Sequence, residues 1–539
     1  MNAGVLGIAL RTALGDLEQT VAGLHAGRSA FSPSPPYATE GLANSACALV
    51  ADLPRDRPAE HLLRSVVRDA LMASELPPGS RVGLVVGTSS GNIAGPWESW
   101  HIATLEGRPT AGAGVGRDTP TLVVAAELGL APAATLSVAC VSGTAALAVA
   151  QGWLQEDVVD AVVVAGVDAL CRYVHAGFSA LGALASNHPR PFQADRDGLV
   201  LGEGAAALVL AKQGGTPWLT GTAIASDAQH LTAPSRDGVG AVAALGGAIG
   251  EQRVDLVSVH GTGTVFNDAA EVRALEQVFP DGGVAVHGVK HLIGHTMGAA
   301  GAIEAVLLVH ALRTGESPPS PEIETATATD DAGPRVAAFQ AAVAPQTGVS
   351  ISAAFGGLNA AACFSHVAVS SSPARPAVAR VEVQIQVPTD PDWQAQWPGA
   401  PRRFHRLDRY SRTALLGLFQ LIERTGPLPT GTALVLATPT GCCIADLEHH
   451  ERLVREGARN VSRLAFTYTI VHAPLAEATL IWQLTGPQLA FVGDRSVAED
   501  EARRWVAFHG APAAVALWVD APATDAPSRA TAVLWSPEA

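Results

Sequence analysis

The sequence predicts a layered α/β fold, present once in full and a second time in part. Two observations carry this. Strand-length apolar runs alternate with helical stretches through a large N-terminal part, and three segments of that part recur near the C-terminus at almost constant spacing. A Ser-, Pro- and Ala-rich stretch, VAVSSSPARPAVAR (367–380), lies between the two parts and reads as a linker.

The strands come first. VGLVV (82–86), TLSVA (135–139), DAVVVAG (160–166), AAALVLA (205–211) and VDLVSVH (254–260) have the length and apolar content of buried strands. Between them, SGTAALAVAQGWLQ (142–155) and AAEVRALEQVF (269–279) read as helices. Strand–helix alternation of this kind implies an α/β layered architecture. The recurrence is the second element. RVGLVVGTSSG (81–91) matches GTALVLATPTG (431–441), LGLAP (128–132) matches LTGP (484–487), and VVVAGVDA (162–169) matches AVALWVDA (514–521). Ala/Val-rich strands resemble one another by chance, but three matches at nearly one offset outweigh that explanation. Residues 400–539 are therefore expected to be a degenerate copy of roughly residues 55–170.

Composition bounds the class. With 539 residues, 48% of them apolar and only 16% charged, the chain is too long for one ordinary domain and has ample material for a large core. Disorder would require low hydrophobicity and high charge. The formal net charge of −15 argues against a nucleic-acid binder, although an acidic chain can carry a local basic patch. The spacing of the six cysteines fits neither a disulfide framework nor a zinc site, and no metal-ligand cluster stands out. The start, MNAGVLGIALRTALGD, lacks the features of a signal peptide. No uncharged apolar run approaches the roughly 18 residues of a membrane span, since the Ala-rich stretch 298–312 is interrupted by Glu304. A cytoplasmic protein without a membrane span is expected.

Four segments carry chemistry. Cys140 follows an apolar strand and precedes Val-Ser-Gly-Thr-Ala-Ala, a small-residue helix start. A helix N-terminus stabilises a thiolate, and a free backbone N–H there can donate to an oxyanion. Taken alone, a cysteine after a strand is more often a small buried hydrophobe. His260, in VHGTGTVFND (259–268), also ends an apolar strand, where sites gather in α/β sheets, although a structural role fits equally well. VKHLIGHTMGAAG (289–301) sets Lys290 and His295 five residues apart and follows them with a GAAG run suited to close helix packing. AAFGGLNAA (353–361) places two glycines beside Phe355, a flexible turn with a bulky tip.

VACVSGTAAL around Cys140, RPFQADRDGLVLGEGAAALVL (190–210), HGTGTVFND, KHLIGHTMGAAG and FGGLNA, in this order, resemble the β-ketoacyl synthase family of fatty-acid and polyketide biosynthesis. The likeness begins with GIALRTALGD and LHAGRSAF and runs to residue 368. It implies a thiolase-like five-layer αβαβα fold over residues 1–366, a linker at 367–380, and a partial thiolase-like domain at 381–539. It also implies a Cys-His-His triad of Cys140, His260 and His295, and a Lys290–Glu304 pair. Phe355 maps onto the family's gating phenylalanine, beside Gly356, with its N–H joining that of Cys140 in an oxyanion hole. The chain departs from the family where Ala353 replaces a bulky aromatic residue and Leu358 stands where Thr is common. These smaller or altered side chains put the acyl pocket in question and suggest room for a longer or stiffer chain.

The resemblance further implies decarboxylative condensation of a malonyl thioester with an acyl group held on Cys140. The substrates would ride on the phosphopantetheine arm of an acyl carrier protein, with no metal or redox cofactor. Arg64 and Arg68, one helical turn apart in LLRSVVRDAL, fall on the family's docking helix for the acidic carrier. A homodimer, or a heterodimer with another ketosynthase-like subunit, is expected. In the C-terminal part the nucleophile should fall at residues 492–495, which read Val492, Gly493, Asp494 and Arg495. No cysteine is there and no second HGTGT or GHT motif follows, so this part is expected to be inactive. It resembles the truncated ketosynthase-like chain-length factors of aryl-polyene-type and polyketide systems. The alternatives are a coenzyme A-dependent thiolase, which needs a Gly-His-Pro segment where this chain has Gly294-His295-Thr296; a Cys-His-Asn enzyme of the chalcone-synthase kind; and a non-catalytic chain-length factor, which commonly lacks the cysteine found here.

Overall fold

The computed structural model describes residues 2–108, 116–318, 344–369, 377–523 and 526–537. In chain order its strands are β1 (Ala3–Arg11), β2 (Phe31–Ser32), β3 (Cys47–Ala48), β4 (Val82–Gly87), β5 (Ala133–Leu136), β6 (Ala161–Asp168), β7 (Leu201–Gly202), β8 (Gly204–Ala211) and β9 (Trp218–Ser226). They continue with β10 (Leu256–Ser258), β11 (Ala285–His287), β12 (Thr347–Ala354), β13 (Leu358–Ser365), β14 (Ala377–Val387), β15 (Ala433–Thr438), β16 (Gln488–Val492), β17 (Ala514–Asp520) and β18 (Ser528–Pro537). Fifteen of them share one sheet, in the order β11-β10-β12-β13-β9-β1-β8-β6-β4-β5-β16-β15-β17-β18-β14, while β2, β3 and β7 form a small separate one.

The first ten positions of that order give the five layers of a thiolase-like fold. Helices Pro58–Met72 and Thr119–Leu128 cover one face of β1, β8, β6, β4 and β5. Helices Ser142–Gln155 and Ala300–Thr314 lie between these strands and the β9-β13-β12-β10 region, which helix Val239–Ile249 covers on its far side, with Val265–Val278 packed on that helix. β6 and β8 are buried along their whole length, which is why they read as unbroken apolar runs. The stretch Met297–Thr314 is long and apolar enough to cross a membrane, but it is mostly buried between the sheet regions and carries Glu304.

The C-terminal unit repeats five of these strands in mirror order. About the β5–β16 junction, β4, β6, β8 and β1 on one side face β15, β17, β18 and β14 on the other. The Leu84 N–H donates to the Pro132 carbonyl at 2.9 Å, and the Leu434 N–H donates to the Pro487 carbonyl at 2.8 Å, the same bond in each unit. β5 and β16 pair antiparallel, with Leu136 opposite Phe491. The offset of 355 that carries Pro132 onto Pro487 also carries Leu136 onto Phe491. A residue thus pairs with its own counterpart, as on the two-fold axis of a dimer. The two parts are one continuous sheet joined as a pseudo-dimer.

Two boundaries shift from the sequence reading. The copy takes in β14 and β18, the counterparts of β1 and β8, so it begins before residue 400. β14 starts at Ala377, inside the stretch read as linker, while residues 370–376 of that stretch lie outside the described residues. Among the described residues the second unit has no counterpart of the β9–β13 region, and its sequence is adapted to that. Helix Ser142–Gln155 is buried from Ser142 to Leu154 between two sheet regions. Its counterpart Arg495–Ala507 is amphipathic, burying Ala498, Glu501, Ala502, Trp505 and Val506 while Ser496 and Asp500 are exposed.

Candidate active site

The turn that carries Cys140 departs from the sequence reading. The strand expected over 135–139 ends at Leu136, although the Ser137 N–H still bonds across the pseudo-dimer to the Ala490 carbonyl at 2.8 Å. Ala139 then takes a positive φ of 50° at the head of a 3-10 turn, Ala139–Val141, that leads into helix Ser142–Gln155. A non-glycine residue held there costs about 1–3 kcal/mol and persists only where the surroundings enforce it. Ser142 helps enforce it by accepting from the Val138 N–H at 2.9 Å and donating to the Ala139 carbonyl at 2.6 Å.

Two imidazoles meet beside this turn. His295 Nε2 lies 3.0 Å from Cys140 Sγ. The His260 ring stands perpendicular to the His295 ring, with centroids 5.4 Å apart. The His295 backbone is clamped by the LVLGEG segment, since its N–H donates to the Val200 carbonyl at 2.7 Å and its carbonyl accepts from the Gly202 N–H at 3.0 Å. Lys290 donates to the His260 carbonyl at 2.6 Å and forms a buried ion pair with Glu304. Burial is the main force on the two histidines and on Glu304. It lowers both histidines well below the usual imidazole range, helped in each case by the charge of Lys290, so both rings are neutral at pH 7. It pushes Glu304 up to about 7 against the pull of Lys290.

Cys140 corrects another expectation. The helix start was expected to favour a thiolate, yet burial pushes this thiol up to about 12, with Lys290 opposing. The sulfur lies between two cavities, and desolvation by its surroundings is the largest effect on it. Below its pKa the thiolate fraction grows about tenfold per pH unit. Alkylation of Cys140 by iodoacetamide is therefore expected to keep rising beyond pH 9; a plateau near pH 7 would show a preformed thiolate–imidazolium pair.

Cys140 stands where two cavities meet. The outer one, about 440 Å³, is lined by His260, His295, Thr262, Thr264 and Asn359 among others. The inner one, about 50 Å³, is lined by Arg117, Tyr173 and Met297 and by Phe466, Thr469 and Ile470 of the second unit. Phe355 and Phe178 line both, their rings stacked with centroids 6.1 Å apart. Ala353 and Leu358 line the outer cavity and not the inner one. Both departures from the family pattern therefore bear on the entrance side rather than the inner pocket, because β12 and β13 reach the site from that side. Gly356, at φ 86°, donates its N–H to the Leu231 carbonyl at 2.5 Å.

The structure does not keep Arg64 and Arg68 equivalent. Arg64 is bound bidentately by Glu127 at 2.6 and 2.9 Å, which neutralises it, whereas Arg68 is exposed.

Sequence reasoning missed the carboxylates behind the site. Asp168, at the end of β6, accepts from Thr88, from the N–H and hydroxyl groups of both Ser89 and Ser90, and from the Gly298 N–H at 2.7 Å. It ties the turn after β4 to the segment carrying His295. A Cβ on Gly298 would lie 2.5 Å from the Ser89 nitrogen, so only glycine fits. Glu271 accepts from the His260 and Gly261 N–H groups at 2.5 and 2.8 Å, and Asp268 from those of Phe192 and Gly263. Asp268 and Glu271 lie within the helix that follows HGTGT, so their spacing from His260 was readable but gave no reason to single them out.

Comparison with known proteins bears on family and fold. Residues 4–214 match the family "Beta-ketoacyl synthase, N-terminal domain", and residues 218–324 match "Beta-ketoacyl synthase, C-terminal domain". A mitochondrial 3-oxoacyl-[acyl-carrier-protein] synthase of Arabidopsis thaliana is 33% identical over 257 residues, covering 42% of this chain and 55% of that protein. 3-Oxoacyl-[acyl-carrier-protein] synthase 2 of Rhizobium meliloti (strain 1021) is 34% identical over 215 residues, covering 35% and 51%. The chain thus spans about half the length of the curated relatives it matches. Among solved structures, the ishigamide ketosynthase/chain length factor superposes with a TM-score of 0.60 at 26% identity, covering 68% of this chain and 99% of that one. The PfaC keto synthase-chain length factor superposes with a TM-score of 0.78 over 99% of this chain and 78% of its own; at 15% identity this is a likeness of fold alone. The two family matches run through the turn of Cys140, the HGTGT loop and the Lys290–Glu304 segment, and the chain belongs to the β-ketoacyl synthase family.

Proposed function

We propose that the chain is a β-ketoacyl-[acyl carrier protein] synthase whose second unit is a non-catalytic, chain-length-limiting module. The observation that supports this best is Cys140 beside two neutral imidazoles at the junction of an entrance cavity and an inner pocket. Cys140 sulfur attacks an acyl thioester on the carrier's phosphopantetheine arm. The carrier's sulfur leaves with the thiol proton, and the acyl group remains on Cys140. The oxyanion lies between the N–H groups of Cys140 and Phe355. A malonyl thioester then enters by the outer cavity. Its carbon–carboxylate bond breaks, CO2 departs, and the electron pair becomes an enolate whose oxygen accepts N–H donors from His260 and His295. The enolate carbon attacks the acyl-Cys140 carbonyl, forming the carbon–carbon bond and expelling the Cys140 thiolate. Lys290, through Glu304 and the His260 carbonyl, positions this machinery.

The second unit has no nucleophile at the matching place. Four residues beyond Phe491, as Cys140 is beyond Leu136, stands Arg495, paired with Glu382 at 3.0 Å and with Glu499. Its contribution is the wall that Phe466, Thr469 and Ile470 build on the inner pocket, where the acyl chain would lie. Fatty-acid, polyketide and aryl-polyene-type assembly all use this chemistry. A cytoplasmic setting with an acidic carrier docking at Arg68 fits it.

The test is intact-protein mass spectrometry after incubation with carrier thioesters of graded chain length, on the native protein, Cys140→Ala and Ile470→Ala. Adducts on the native protein and none on Cys140→Ala are expected, with Ile470→Ala shifting the preferred chain to greater length. No adduct from any carrier thioester would refute the synthase reading. An unchanged chain preference would refute the wall.

A further inference from the structure

The second unit touches the reaction centre at a point other than the pocket wall. His472, fully buried just ahead of helix Ala473–Trp482, places Nε2 2.9 Å from the carbonyl oxygen of Phe355. A carbonyl only accepts, so Nε2 must carry the proton. Burial holds the ring neutral by lowering it to about 4. The next N–H in the loop, that of Gly356, donates to the Leu231 carbonyl at 2.5 Å. The peptide plane between Phe355 and Gly356 is therefore pinned at both polar ends, by the second unit on one side and the first on the other. The fit is tight, since a Cβ on Gly356 would lie 2.8 Å from His472 Nε2 and 3.1 Å from the Ala476 side chain. The Phe355 ring is held through the same unit, stacked on Phe178, which meets Phe466 edge-on at 5.6 Å.

We infer that His472 is a positioning residue for the reaction. By holding the Phe355 carbonyl it fixes the rotation of Phe355, and so aims the preceding N–H at the oxyanion and sets the ring between the two cavities. The inactive unit is then required for turnover, and not solely for chain length. This rests on the synthase reading above, because the oxyanion it serves arises only in acyl transfer to Cys140.

The test separates oxyanion stabilisation from fold and from thiol access. Alkylation of Cys140 by iodoacetamide forms no oxyanion, whereas acylation by a carrier thioester does. Both rates are measured on the native protein, His472→Ala, His472→Gln and His472→Phe. Losing an oxyanion donor outright costs about 100- to 1,000-fold, so mis-aiming one is expected to slow saturating acylation by about 10- to 100-fold. Alkylation should stay within about twofold of native, the rate expected when only the oxyanion donor is disturbed. Gln, which keeps an N–H donor, should recover much of the acylation rate. Phe, which keeps the ring volume without the donor, should behave as Ala does, and it serves in place of Ala should that variant not fold. Equal acylation in native and Phe variants overturns the inference, as does a parallel fall in both rates. Native protein that forms no adduct at all instead overturns the synthase reading beneath it.

Discussion

His260→Ala is expected to lower decarboxylation of a malonyl thioester by about 100- to 1,000-fold while leaving acylation of Cys140 within about tenfold of native, since one preorganised donor to a developing enolate has that value. The two steps separate because the rings are placed differently. His295 Nε2 stands against the sulfur, whereas His260 faces the His295 ring from the entrance side. Burial and Lys290 keep His260 neutral, so in the proposed mechanism its part is to donate an N–H and not to carry charge. Release of CO2 from malonyl thioester and adduct formation by mass spectrometry measure the steps independently. Equal losses in both would show that His260 serves the thiol instead.

The second large effect is on stability. Arg117 and Asp446 form an ion pair with side chains only 8% and 5% exposed, one residue from each unit. Arg117 Nη2 reaches both Asp446 oxygens at 2.7 and 2.8 Å, and the Tyr173 hydroxyl donates to Asp446 at 2.7 Å. Asp446→Ala leaves a buried guanidinium without its counter-charge and is expected to cost about 3–5 kcal/mol. The double variant Arg117→Met/Asp446→Leu removes both charges and should regain most of that loss, since replacing a buried pair by apolar groups is often close to neutral. Urea unfolding followed by tryptophan fluorescence measures both. If Asp446→Ala unfolds at the native midpoint, the pair does not hold the units together. Because Arg117 lines the inner pocket, the double variant should also change its preferred acyl chain.

Motif order made the first unit legible. Cys140, His260, Lys290 and His295 sit at strand ends or helix starts, where local spacing reveals them. Asp168 and His472 were not legible. Each acts on a backbone group far away in the chain, as Asp168 does on Ser89 and Gly298, and His472 on Phe355. The carboxyl and imidazole groups that do this look like any others in a sequence.

The sequence by itself determined the layered α/β class, the partial repeat and the residue types at the nucleophile and histidine positions, because these depend on apolar periodicity and short-range spacing. Only the tertiary structure decided that the copy closes onto the first unit through β5 and β16 as one sheet. It also decided that Arg64 is paired with Glu127, that Ala353 faces the entrance, and that burial raises the Cys140 thiol. Those outcomes are set by burial and by contacts between residues distant along the chain. Desolvation acts on what surrounds a group in space, and a sequence fixes that only through the completed fold.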